Sequence, residues 1–174
     1  MSGSLPDRID VLRLAETGRT LSGRLPLTAL ARLLPALHTR EGELAVEISG
    51  DREGRIRRLH GRIVTTLSLV CQRCLEPMTV PIDVRFQLGL VTTEEQADRL
   101  PEGLEPLLIT EPTLRLVDVV EDELMLALPI VALHPEGSAC AVRVPAAMAA
   151  VPEPVAPEPR KNPFGVLAKL KNSH

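Results

Sequence analysis

From Met78 to Leu90 every second residue is apolar: Met78, Val80, Ile82, Val84, Phe86, Leu88 and Leu90 alternate with Thr79, Pro81, Asp83, Arg85, Gln87 and Gly89. A repeat of two is that of a strand buried on one face. A one-residue slip would turn the whole apolar row to water, so the pairing register is strongly specified. Upstream, Leu59, Gly61, Ile63, Thr65, Leu67 and Leu69 share one face, against Arg58, His60, Arg62, Thr66 and Ser68 on the other, with Val64 and Val70 as apolar exceptions. The two runs meet at Cys71-Gln72-Arg73-Cys74-Leu75-Glu76-Pro77. Before them, Leu44, Val46 and Ile48 alternate with Glu43, Ala45, Glu47 and Ser49, and Gly50-Asp51-Arg52-Glu53-Gly54 reads as a turn. The pattern therefore predicts an antiparallel β-meander over residues 43 to 91, with its second strand at the centre.

Elsewhere the period lengthens. Leu116, Val117, Val120, Leu124, Ala127 and Leu128 recur at spacings of three and four, while Asp118, Glu121, Asp122 and Glu123 fill the remainder. This predicts a helix near 115 to 128 that lies across the sheet with its acidic face outward and stops at Pro129. A short helix is expected after Pro26 with Thr28 as its cap, and a capped one at Thr92 to Ala97. Ile9 to Leu14 reads as a short edge strand, and Leu107 to Ile109 as another between Pro106 and Pro112. Five prolines between Pro145 and Pro159 exclude a packed element, so residues 144–160 read as a Pro/Ala-rich linker. It leads to a basic segment, 161–174, in which Pro163 opens a helix capped by Asn162 and places Phe164, Leu167 and Leu170 on one face. The fold class is α+β: residues 1–143 form one domain, an antiparallel sheet covered by helices, followed by the linker and the basic tail.

Composition narrows the function. Hydrophobic residues make up 44% of the 174, yet aromatic ones only 1%, so the core is aliphatic and platforms that stack nucleic-acid bases on exposed rings are disfavoured. The net charge of -3 conceals a partition. Between Arg52 and Arg73 six arginines face one acid, and between Glu94 and Glu123 ten acids face two arginines. Arg55, Arg57, Arg58, Arg62 and Arg73 on or beside one hairpin, with Lys161, Phe164, Lys169 and Lys171 in the tail, are the candidate contacts to RNA or to a protein partner. The same charges would also suit a surface that merely stays soluble. The chain contains no GxSxG, HExxH or phosphate-binding glycine loop, and its four histidines lie in unrelated contexts, so no enzyme and no small-molecule substrate is read from it.

Cys71 and Cys74 have the spacing of half a zinc knuckle. Cys140 and His134 are the other candidates for a Cys3His set; the alternative is that the cysteines are small buried hydrophobes at a tight turn. A redox role is disfavoured, because such motifs open a helix whereas this one joins two strands. Three cysteines, a polar start and no apolar run of membrane length point to a reducing cytoplasmic setting without a membrane.

Four ordered blocks carry a resemblance: Cys71 to Pro77, Leu100 to Pro106, Val117 to Val131 and Lys161 to Leu170. From about Leu21 to the C-terminus the chain resembles the bacterial YceD family, known as large ribosomal RNA subunit accumulation proteins. The resemblance implies a cytosolic, non-enzymatic factor that supports synthesis, processing or stability of large-subunit (23S) ribosomal RNA by binding that RNA or an assembling ribosomal protein. A protein-binding adaptor without RNA contact is the alternative. Some members add a cysteine-rich segment after the acidic helix that would complete a zinc site; here Cys140 alone remains, so the resemblance by itself requires no cofactor.

Overall fold

A computed structural model describes residues 5–138 and Cys140. The calls for a linker at 144–160 and a basic segment at 161–174 lie outside the described residues. All the elements below fall within residues 1–135, the first of two units into which the chain divides; of the second, 136–174, only residues 136–138 and Cys140 are described.

The meander forms as the alternation predicts. β3 (Glu43–Glu53), β4 (Ile56–Val70) and β5 (Pro77–Val91) pair antiparallel, Arg57 opposite Leu90 through Val70 opposite Pro77. Leu44, Val46, Ile48, Leu59, Ile63, Leu67, Leu69, Ile82, Phe86 and Leu88 are buried on one face. Two more strands extend the sheet, β2 (Thr20–Pro26) beside β3 and β6 (Glu105–Leu108) beside β5, so β4 is central in the order β2-β3-β4-β5-β6. β6 runs parallel to β5, and the sheet is therefore mixed rather than purely antiparallel. The reason is the connection: α2 (Glu94–Ala97), capped by Thr93, and the turn at Gly103 carry the chain back before it re-enters the sheet.

The N-terminal segment corrects the expected edge strand. Only Arg8–Ile9 (β1) is extended, paired with Leu114–Arg115 (β7), and Val11–Thr17 is a helix, α1. Asp10 caps it by accepting the N–H of Arg13 at 2.9 Å, and Gly18 ends it in the left-handed conformation at φ 62°. α1 packs so closely on β3 that a Cβ on Gly50 would stand 2.5 Å from the backbone nitrogen of Ala15. After Pro26 the expected helix is replaced by two 3-10 turns, Leu27–Ala29 and Leu34–Ala36. Thr28 does not cap the first, and Pro35 lies within the second. Their purpose is burial, since Leu27, Leu30 and Leu33 are each no more than 1% exposed.

α3 (Leu116–Leu126) forms as predicted, with Leu116, Val120 and Leu124 in the core. Its acidic face does not all point outward. Asp118 and Asp122 are exposed, whereas Glu121 and Glu123 are buried. Consecutive helical residues step by about 100°, and the 27–36 loop and the edge of β5 cover part of what the sequence reads as the polar side. No helix among the described residues is long and apolar enough to cross a membrane.

Candidate functional site

The turn between β4 and β5 is built by the backbone. Leu75 N–H donates to the Cys71 carbonyl and Cys71 N–H to the Glu76 carbonyl, both at 2.9 Å, which closes a tight knuckle. Leu75 then sits at φ 61°, the one described residue other than glycine with a positive φ. Gln72 N–H donates to the Ala132 carbonyl at 2.8 Å, fastening the turn to the segment that follows α3. That bond brings His134 to the cysteines: its Nδ1 lies 3.4 Å from Cys74 Sγ, and the ligand atoms of Cys71, Cys74 and His134 all lie within 4.8 Å of one another.

Three donors in this arrangement fit a tetrahedral N/S ion, where thiolate sulfurs about 2.3 Å from the metal stand roughly 3.8 Å apart. The surroundings favour the thiolate. Burial works to raise the Cys71 thiol, but the amides of Cys74, His134 and Arg73 and the His134 ring outweigh it and bring the pKa down to about 5. Cys71 is completely buried, Cys74 half-buried and His134 half-buried. Cys140, the remaining cysteine, is buried and belongs to the second unit.

The arginines occupy different surroundings. Even-numbered residues of β4 point to the sheet face that the core does not use, so Arg58, His60 and Arg62 share that face with Arg85 of β5, and Arg62 stands directly opposite Arg85. Arg62 forks onto Asp83 with contacts of 2.8 and 2.7 Å. Arg58 grips Asp51 at 2.7 and 3.1 Å and also reaches Glu53. The Asp51 carboxyl is held below its usual range, first by Arg58, with burial opposing and His60 at 2.9 Å assisting. Arg57 points the other way, to Glu16 of α1 at 2.9 Å. Arg55 is exposed at the β3–β4 turn and Arg73 in the cysteine knuckle. A count of charges along the sequence thus overstates the positive field, because Asp51, Asp83 and Glu16, which answer three of these arginines, come from positions outside the counted run. The cross-strand register was the missing signal: Asp51 is directly opposite Arg58. Lys161, Phe164, Lys169 and Lys171 lie outside the described residues.

Residues 59–171 match the family model described as large ribosomal RNA subunit accumulation protein YceD. Over 115 residues, 65% of this chain, the sequence is 40% identical to the large ribosomal RNA subunit accumulation protein YceD of Haemophilus influenzae. The aligned part is 64% of that relative, just under two thirds of its length. No solved structure matches the chain at a significant level. The matched span runs from the central strand through the cysteine knuckle and the acidic helix to the basic segment, and on that ground the chain belongs to the YceD family.

Proposed function

We propose that this protein is a non-enzymatic accessory factor in the accumulation of large-subunit ribosomal RNA, acting in the cytoplasm by contact with that RNA or with an assembling ribosomal protein. The observation that supports this reading is the extent of the family match, which takes in Arg62, Arg73, Lys161, Phe164, Lys169 and Lys171. In this proposal the uncovered face of the sheet, with Arg58, Arg62 and Arg85, the turn arginines Arg55 and Arg73, and Arg57 at the start of β4 receive phosphate oxygens, and the basic segment adds affinity. Each phosphate neutralised contributes a salt-sensitive increment. The pairing acids do not forbid this, because an exposed ion pair is worth about 1 kcal/mol or less and a phosphate can replace one carboxylate.

Zinc is the metal this reading assigns to Cys71, Cys74 and His134. The ion would act as a closed structural site that locks the hairpin turn, and no chemical step passes through it.

The test has two arms. Depletion of the protein should lower the level of mature large-subunit RNA. Purified protein should bind that RNA with an affinity that falls steeply with salt, and Arg57→Ala, Arg58→Ala and Arg62→Ala together should weaken binding and flatten the salt slope. Asp51→Asn with Asp83→Asn, which frees Arg62 and leaves Arg58 with Glu53 alone, should strengthen it. Normal RNA levels in depleted cells would overturn the functional reading. No RNA affinity, with capture of a ribosomal protein that is lost on deleting residues 160–174, would favour the adaptor instead.

A further inference from the structure

β5 is paired along its whole length on one side only. β4 spans Pro77 to Leu90, whereas β6 reaches only Leu88 to Val91, so from Pro77 to Gln87 the far edge of β5 has no strand beside it among the described residues. The bond from Ile109 N–H to the Val91 carbonyl, 2.7 Å, shows which residues aim their peptide groups at that edge. N–H and C=O of alternate residues in a strand point to the same side, so the odd-numbered set does: Thr79, Asp83, Arg85 and Gln87. Pro77 and Pro81 belong to the same set and lack the N–H there, the usual way an edge is blunted. The prolines stop at Pro81, leaving Asp83 and Arg85 with both groups and Gln87 with its N–H, since the first rung of the parallel ladder, Leu88 beside Glu105, takes the Gln87 carbonyl.

Beside this run lies a cleft of about 480 Å³, lined among others by Arg85, Gln87, Gly103, Glu105, Glu123 and Leu126. Glu123 is 8% exposed, and among the described residues its carboxylate has no hydrogen-bond or ion-pair partner. Burial first, then Glu105 and Asp122, raise its pKa. Leu126, 75% exposed, forms an apolar shoulder at the end of α3. A short row of main-chain groups with no strand beside them, a mostly buried glutamate whose carboxylate has no cation against it among the described residues and an exposed leucine are the three parts of a strand-addition site, where main-chain bonds supply affinity and side-chain pockets supply choice. Two carboxylates in the cleft repel a phosphate backbone, which disfavours nucleic acid at this edge.

We propose that the edge of β5 at Asp83–Gln87 receives an extended segment of a partner protein, which sets a lysine or arginine against Glu123 and Glu105 and rests an aliphatic side chain on Leu126. The site shares Arg85 with the arginine face but uses its main-chain groups at the sheet edge, and it does not depend on the ribosomal reading.

The experiment pans a phage-displayed library of random twelve-residue peptides against the full chain. Enriched peptides should carry a lysine or arginine among β-branched or aliphatic residues. The synthesised winner should slow hydrogen exchange at the amides of Asp83, Arg85 and Gln87, and Glu123→Gln should weaken it at least tenfold. Arg85→Pro, which removes one edge N–H, should abolish binding. Methylating alternate amides of the peptide should do the same without altering the protein, so the result does not depend on that variant folding. No enrichment, winners without a cation, equal binding by the methylated peptide, or protection of these amides by an RNA oligonucleotide instead would overturn the proposal.

Discussion

The Glu121 carboxylate takes the backbone N–H groups of Arg32 and Leu33 on one oxygen, at 2.6 and 3.1 Å, while Arg32 Nε reaches the other at 2.9 Å. A side chain that the sequence marks as solvated is thus the pin that holds the 27–36 loop to α3. Arg32 extends the clasp to Asp122 at 2.7 Å.

Removing the pin leaves buried amides unpaired. Glu121→Ala should cost about 3 kcal/mol, and Arg32→Ala, whose side chain is half exposed, clearly less. Urea unfolding of both variants checks the order. Burial acts to raise the Glu121 pKa, but Arg32 and the two amides outweigh it and the net shift is downward. A depressed carboxyl contributes stability above its unfolded pKa and loses it as pH falls through the folded one. The gap between the native protein and Glu121→Gln should therefore be full at neutral pH and close progressively below about pH 4.

The cysteine knuckle gives a metal prediction. Protein prepared with zinc should retain about one ion per chain, and Cys71→Ser or Cys74→Ser should lose it. With free zinc a thousandfold above Kd, binding adds roughly 4 kcal/mol. Chelation should then lower Tm by about 8–16 °C. Because the ligands bind deprotonated, the stabilisation should weaken on acidification. Metal content and a thermal melt are the measurements.

Two glycines mark close approaches. A Cβ on Gly61 would stand 2.0 Å from the ring of Phe86 directly across the strand, and one on Gly50 would meet the backbone of α1. A ring can tilt and a helix backbone cannot, so Gly61→Ala should cost about 1–3 kcal/mol and Gly50→Ala more. Adding Phe86→Leu should recover part of the first and none of the second.

Leu75 carries a left-handed backbone that costs a side-chain-bearing residue about 1–2 kcal/mol, and it is 75% exposed, so little packing holds it there. Leu75→Gly should raise stability by up to about 1 kcal/mol after the extra freedom glycine gives the unfolded chain. A fall in the urea midpoint would mean that the side chain has a contact on this surface.

Glu123 behaves oppositely to Glu121. Its raised pKa means the folded state disfavours the ionised form, so the protein should gain stability from this group as pH falls through that pKa, the gain being complete below the unfolded carboxyl pKa. Glu123→Gln should stabilise the protein at neutral pH by roughly 0.5–2 kcal/mol. If the same variant loses the peptide, stability and binding trade against one another at one residue.

Alternation along β3, β4 and β5 determined their existence, their faces and the central place of β4, because strand burial is local and repeats every two residues. The helix at α3 was equally legible from its spacing. The family resemblance rested on short motifs and needed no coordinates. Tertiary structure alone decided what long-range packing controls: that residues 11–17 coil under Asp10 against Gly50, that β6 enters parallel, and that Glu121 and Glu123 turn inward. It also decided that Arg58 pairs with Asp51 directly opposite and Arg62 with Asp83 diagonally across the ladder, since a charge along the chain says nothing about the charges beside it on the next strand. His134 reaches Cys74 across sixty residues because one hydrogen bond, Gln72 to Ala132, folds the strand turn onto the chain after α3, and no spacing in the sequence encodes that bond.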